Sequence, residues 1–346
     1  GHDNIDENCM TIYWLLKLLL GTNIISLIIN LLKESKIHIP MAKLFELESD
    51  MGGSFLYKSN FLNIGENKLA YIDEGPKDAP VLLMCHGNPT WSYLYRHFIA
   101  EYSSTYRCVV PDHIGFGRSS KPNTLEDYTL SGHIDNLTQL VDHLDLNNVF
   151  IVGQDWGGPI SLGWAVRNKE RVGGLVILNT WAFVKRFTMK LPLIFRLLVS
   201  TKNLGNWVTI RRNVFVNRMI PFGIHNKSKI KPDRETMMKS YRAPFPKISD
   251  RKGIHAFPRM IPTKSSHQDY NTMLETEENL VDWDIPALLF IATKDIAFGK
   301  KVAHTFHDIL PNSSEPIEIL AGHFCQEDAT DEIFPHLKEF LNKNTN

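Results

Sequence analysis

The stretch NVFIVGQDWGG, residues 148–158, decides the fold. A short apolar run leads into a glycine, a glutamine and an aspartate, and two more glycines let the chain turn sharply into a helix. Such a strand-to-helix elbow, best known in the form G-x-S-x-G, lifts one side chain out at the top of a sheet as a nucleophile. The lifted residue here is Asp155, charged where a serine would be neutral. An aspartate can also cap a helix and complement its dipole. Gly153, Gly157 and Gly158, placed around Asp155 after a buried strand, favour the elbow.

Outward from the elbow, apolar runs at 81–85 (VLLMC), 107–111 (RCVVP), 149–152 (VFIV), 174–178 (GLVIL), 287–292 (ALLFIA) and 316–320 (PIEIL) read as buried strands, most of them parallel. Helical patterns fall between them. In LSGHIDNLTQLVDHL, 130–144, Ile134, Leu137, Leu140, Val141 and Leu144 recur at helical spacing as core residues. This alternation is that of an α/β protein. It breaks between about 181 and 258, a stretch rich in Arg, Lys, Phe, Pro and Met, which reads as a helical cap inserted over the carboxyl ends of the strands. Open α/β sheets bind their ligands at that edge. The core is then expected at 41–180 and 259–346, with 1–40 as an apolar extension.

The 346 residues suit one large domain or a domain with an inserted module. With 38 basic residues balancing 38 acidic ones, no global field draws nucleic acid or acidic ligands, so a small or neutral substrate is expected. Cys9, Cys85, Cys108 and Cys325 are scattered without metal-ligand spacing, which suggests free thiols in a reducing, cytoplasmic compartment. Residues 11–32, TIYWLLKLLLGTNIISLIINLL, have nearly the length of a membrane span, but Lys17, Asn23 and Asn30 interrupt them. Membrane association or self-assembly through this segment stays open beside a packed extension. Neither ligand clusters nor phosphate loops stand out, so no metal and no organic cofactor is expected.

An ionised carboxylate needs no base to act as a nucleophile. Asp155 can displace a leaving group at a saturated carbon and form an alkyl ester that water then cleaves. The second step needs a general base, and His323 in AGHFCQED follows a strand near the end of the chain. Asp295, after the strand in LLFIATKD, can fix its tautomer and stabilise its charged form. The order Asp155, Asp295, His323 is nucleophile, acid, histidine. For the leaving group, Trp156 offers an indole N–H and Asn88 an amide, weak neutral donors that suit a halide. An alkoxide leaving group wants an acidic hydroxyl, and only Tyr241 stands between 185 and 265. The turn HGNP, 86–89, is expected to present backbone N–H groups to the oxyanion of ester hydrolysis.

The segments HGNPTWSYLYR (86–96), PDHIGFGRSSKP (111–122), DYTL (127–130), GQDWGG (153–158), YRAPFP (241–246) and AGHFCQED (321–328) resemble the haloalkane dehalogenases of the α/β-hydrolase superfamily over roughly residues 60–340. The resemblance implies the α/β-hydrolase fold, a mostly parallel sheet with helices on both faces and an inserted helical cap. It also implies Asp155 as nucleophile, Trp156 and Asn88 as halide donors and His323 as base, acting on a small apolar halogenated substrate with water. One group of the family carries its acid where this chain has Asn179. The acid then falls to Asp295, as in the third subgroup, with Trp207 or Trp181 as further candidates for the halide. The β-lactone decarboxylases of olefin biosynthesis resemble this chain through PDHIG, DWGG, VILNT and DI. The intact YRAPFP and the elbow QDWGG favour the dehalogenase. Epoxide hydrolases, coelenterazine luciferases and non-catalytic binding proteins of the same fold are more distant alternatives.

Other residues read as structural. Asp112 and Gly115 shape a turn, and His86 orders its own loop. His113, His133 and His143 have no evident partner, and the basic stretch 229–239 reads as a solvated surface.

Overall fold

The computed structural model describes residues 51, 53–186 and 205–345. The apolar segment at 11–32 and Cys9 lie outside the described residues. Eight strands form one sheet: β1 (Asn60–Ile64), β2 (Asn67–Glu74), β3 (Val81–Cys85), β4 (Arg107–Pro111), β5 (Val149–Asp155), β6 (Val172–Thr180), β7 (Ala287–Ala292) and β8 (Ile317–Ile319). Their order is β1-β2-β4-β3-β5-β6-β7-β8. β1, β2 and β4 pair antiparallel, and every pairing from β4 to β8 is parallel. β3, β4 and β7 are buried along their whole length, as parallel strands covered on both faces must be, which is why they are so apolar.

The main helices are α1 (Arg96–Tyr102), α2 (Leu130–His143), α3 (Gly157–Ala165), α4 (Arg234–Arg242), α5 (Lys252–Ala256), α6 (Tyr270–Leu280), α7 (Lys300–Ile309) and α8 (Thr330–Asn344). Side chains of β5 point alternately to the two faces. Phe150 meets Phe340 of α8 at 6.2 Å between ring centroids, while Gly153, of opposite parity, lies against Gly158 and Ser161 of α3. Helices therefore cover both faces, as expected. α2 starts where the Thr129 hydroxyl accepts from Gly132 N at 3.0 Å and buries Ile134, Leu137, Leu140 and Val141, four of the five residues expected in the core, while Leu144 at its carboxyl end is only half-buried.

Two strands were not expected. β1 and β2 are polar-interrupted antiparallel strands at one sheet margin, and the solvent-facing positions of β1 dilute its apolar signal. At the other margin β8 is shorter than its apolar run, ending before the exposed Leu320. Among the described residues between β6 and β7 there are helices and no strand. This helical stretch sits on the loops at the carboxyl ends of the strands: Asn88 Nδ2 donates to Ile254 O at 3.2 Å, Trp91 Nε1 to Ser240 O at 3.2 Å and Arg96 Nη2 to Lys231 O at 2.8 Å. Stretch 229–239 is not wholly solvated, because α4 is amphipathic: Met237 and Met238 are buried while Lys229 pairs with Asp331 at 2.8 Å.

Candidate active site

Asp155 ends β5 at φ +50°, where the β5–β6 register slips between Gln154 and Asp155. This left-handed conformation is uncommon for a residue with a side chain, though aspartate tolerates it better than most. Neighbours hold it in place. The Thr180 hydroxyl donates to Asp155 O at 2.5 Å, and the elbow passes so close to β3 that a Cβ on Gly157 would run into the Cys85 carbonyl. On the other side a Cβ on Gly87 would collide with the Asp155 carboxylate, so the HG turn needs its glycine. The backbone N–H of Asn88 donates to Asp155 Oδ1 at 2.8 Å.

The other oxygen, Oδ2, lies 3.6 Å from His323 Nε2, and His323 Nδ1 stands 3.0 Å from Asp295 Oδ2. Asp295 is steadied in turn by Ala297 N, which donates to its Oδ1 at 2.7 Å. Since the carboxylate can only accept, Nδ1 carries the proton and Nε2 faces the nucleophile. Burial works against a charge on His323, but the charge and hydrogen bond of Asp295, with the charge of Asp155, outweigh it and push its pKa up to about 10. The three residues singled out from the sequence are thus brought together from the ends of three strands.

The histidine loop is braced by residues the sequence did not announce. Asn179, at φ +41°, donates through Nδ2 to Gly322 O at 3.0 Å and His323 O at 3.1 Å, and its Oδ1 accepts from Ala292 N at 3.3 Å. This side chain ties β6, β7 and the loop together. Asp328 Oδ2 accepts from His225 N at 2.7 Å and Asn226 N at 2.9 Å. Beyond them Arg96 makes a buried two-pronged pair with Glu327, 2.7 Å on each arm, and the Tyr241 hydroxyl donates to the same Glu327. Tyr241 is therefore committed to a carboxylate.

Trp156 is buried beside the nucleophile, its ring 4.9 Å from Trp181 and 5.6 Å from Phe257, and its indole N–H has no hydrogen-bond acceptor among the described residues. Asn88 spends one amide hydrogen on Ile254 O, and its Oδ1 is buried without a partner among the described residues. Trp181 is fully buried against Phe298, whereas Trp207 is 37% exposed beside Arg212.

His113 has a partner after all. Its N–H donates to His86 Nε2 at 3.0 Å, and its Nε2 bonds His86 O at 2.9 Å. The turns after β3 and β4 lie side by side, although 27 residues separate the two histidines. His86 keeps its remaining proton on Nδ1 for Gly87 O at 2.8 Å, and burial pushes its pKa down to about 3. It orders its own loop, as expected. His133 has no hydrogen-bond partner on either ring nitrogen among the described residues. No group of three or more potential metal ligands occurs among the described residues.

The sequence profile of the α/β hydrolase fold matches residues 80–330. The chain is 36% identical to the cis-3-alkyl-4-alkyloxetan-2-one decarboxylase of Shewanella oneidensis, over 82% of this chain and 88% of that protein. It is 35% identical to haloalkane dehalogenase 2 of Mycobacterium tuberculosis, over 80% of this chain and 92% of that protein. Among solved structures, the haloalkane dehalogenase DbeA of Bradyrhizobium elkani superposes with a TM-score of 0.75 at 26% identity, covering 83% of this chain and 98% of that one. A tetrameric haloalkane dehalogenase of Paraglaciecola agarilytica gives 0.68 at 29% identity, over 84% and 93% of the two chains. The strand order, the elbow and these likenesses agree: the chain belongs to the α/β hydrolase family, among relatives named as haloalkane dehalogenases and oxetanone decarboxylases.

Proposed function

We propose that the protein hydrolyses haloalkanes to an alcohol and a halide through an ester on Asp155. The observation that carries this reading is the pairing of an elbow carboxylate with a neighbouring indole N–H, on Trp156, that has no acceptor among the described residues. Such a donor suits an anion that leaves without a proton. The hydroxyl an epoxide would need is less at hand, since Tyr241 already donates to Glu327.

In the first step an Asp155 oxygen attacks the carbon bearing the halogen. The new C–O bond forms as the C–halogen electron pair departs with the halide, received by Trp156 and the free amide hydrogen of Asn88. In the second step His323 Nε2 takes a proton from water while the water oxygen adds to the Asp155 carboxyl carbon. Asn88 N–H, now 2.8 Å from Oδ1, faces the oxyanion that develops there. Collapse of the intermediate expels the alkoxide, which recovers the proton from His323, and the carboxylic acid left on Asp155 releases its proton to solvent, which regenerates the carboxylate. Asp295 holds the imidazole in the required tautomer and offsets its charge. The pieces from 181 to 258 serve as the cap over this site, with residues 41–180 and 259–346 as the core.

A second reading is favoured by the 36% identity to an oxetanone decarboxylase. The same Asp155 and His323 would then act on a cis-β-lactone. Purified protein supplied in parallel with 1-bromobutane, 1,2-dibromoethane and a cis-β-lactone separates the two. Halide release supports the first reading, and olefin formation without halide release replaces it with the second. Cys85, Cys108 and Cys325 are unpaired and buried, which supports a reducing, cytoplasmic setting. Among the described residues no helix is long and apolar enough to cross a membrane. Membrane association or self-assembly through residues 11–32 is a proposal that deletion of 1–40 tests.

A further inference from the structure

Gln154 precedes the elbow aspartate and is fully buried. Its Nε2 lies 3.1 Å from His323 O and 3.2 Å from His323 Nε2. The carbonyl decides which end of the amide faces the loop, because an amide oxygen turned there would meet another oxygen. The amide nitrogen carries two hydrogens, enough for one on the carbonyl and one toward the imidazole. The imidazole has no freedom to accommodate this from its other side, since Nδ1 must keep its proton to bond Asp295 at 3.0 Å. An N–H aimed at Nε2 stabilises a lone pair there and opposes a second N–H.

We propose that Gln154 is a positioning residue that selects the neutral form of His323, its amide hydrogen bonding the Nε2 lone pair with which the base takes a proton from water. The charged groups facing His323 are Asp155 at the end of β5 and Asp295 after β7, and both favour the imidazolium. Phe298 and Phe324 are its ring neighbours, at 5.7 Å and 4.8 Å, and from β6 Asn179 reaches only its carbonyl and that of Gly322. Gln154 is the counterweight to the two carboxylates. In the resting site the carboxylates prevail. Once Asp155 is an ester one charge is gone and the amide stays, so the imidazole releases its proton to solvent and becomes the base. At 3.2 Å the bond is long enough to yield when water delivers its own proton. The part of this argument that follows esterification rests on the function proposed above; the effect on proton affinity does not.

Gln154→Met keeps the length of the side chain and removes the donor. Gln154 Oε1 is buried without a partner among the described residues, and His323 O keeps its bond from Asn179 at 3.1 Å, so little else is lost. The titration of the His323 imidazole is followed by NMR without substrate, comparing Asp155→Asn with Asp155→Asn/Gln154→Met. The proton affinity of His323 is expected to rise about threefold to tenfold, the worth of one net hydrogen bond. Gln154→Leu is the second variant should Met not fold. An unchanged affinity in a folded variant overturns the proposal, whatever reaction the enzyme performs. With 1-bromobutane, the acid limb of turnover by Gln154→Met is expected at higher pH than in the parent. A rate lowered equally at every pH marks a merely structural role and overturns it too. If the affinity rises while the parent protein releases no halide from any alkyl halide, Gln154 keeps its role and the dehalogenase reading falls.

Discussion

His323 Nε2 stands 3.6 Å from Asp155 Oδ2, close enough for the carboxylate to hold a charge on the imidazole and too far for a good hydrogen bond. Oδ2 therefore keeps its lone pairs for the substrate while the charge of the carboxylate keeps the base protonated. Neutralising Asp155 removes that charge. In Asp155→Asn the proton affinity of His323 is expected to fall from the level set by a pKa of about 10, because a raising influence is gone while burial still lowers it. An imidazole NMR titration decides this, and one that superposes on the parent's contradicts the coupling.

The same shift bears on stability. The folded pKa of His323, about 10, lies above its ordinary 6.5, so the stabilising contribution of the charged imidazole is complete below 6.5 and is lost as pH rises toward 10. The stability gap between the parent and His323→Gln is accordingly expected to narrow across that window. Urea denaturation at several pH values measures it, and a gap that widens with pH reverses the sign argued here.

The Arg96–Glu327 pair joins the start of α1 to the segment after His323, with both side chains almost fully buried. Glu327→Gln leaves the guanidinium without its counter-charge, and breaking a buried pair in this way typically costs about 3–5 kcal/mol. Equilibrium unfolding of the purified variant tests this. A loss below about 1 kcal/mol, the range of exposed pairs, means that the pair is better solvated than its burial implies.

The legibility of this molecule in its sequence was uneven for physical reasons. The elbow announces itself because the glycines, the apolar run and Asp155 are adjacent, and the turn is set by local sterics. Asp295 and His323 are legible because each follows an apolar strand. Gln154 and Asn179 are not, since each acts on the His323 loop from 169 and 144 residues away and an amide carries no signal of its partner. β1 escaped notice because the exposed Asn60 and Asn63 interrupt its apolar residues, and His113 was left without a partner because parallel strands set distant turns side by side.

Leaving-group assistance turns on Trp156. Trp156→Phe keeps a ring between Trp181 and Phe257 but removes the N–H, so the alkylation step is expected to slow by about 10² to 10³, the effect of deleting one preorganised donor to developing charge. Asn88→Ala acts in the same direction. Single-turnover bromide release measures the step, and parent rates in both variants would move the halide site elsewhere, with Trp181 the nearest indole.

The two half-reactions can be pulled apart at His323. Alkylation uses a carboxylate that is already ionised, and Asn88 N–H and Trp156 serve it without a base. Ester hydrolysis needs water activated at Nε2. His323→Ala is therefore expected to release about one bromide per active site from 1-bromobutane in a burst and then nearly to stop, as a covalent intermediate accumulates. Intact-protein mass spectrometry should find the added butyl group, and peptide mapping should place it on Asp155. Asp155→Ala should release nothing. Asp295→Asn should keep the burst and slow turnover, because the imidazole loses the charged partner that stands 3.0 Å from its Nδ1. Sustained turnover by His323→Ala, or a butyl group on any other residue, would show that the ester does not form on Asp155 or that something other than His323 activates the water.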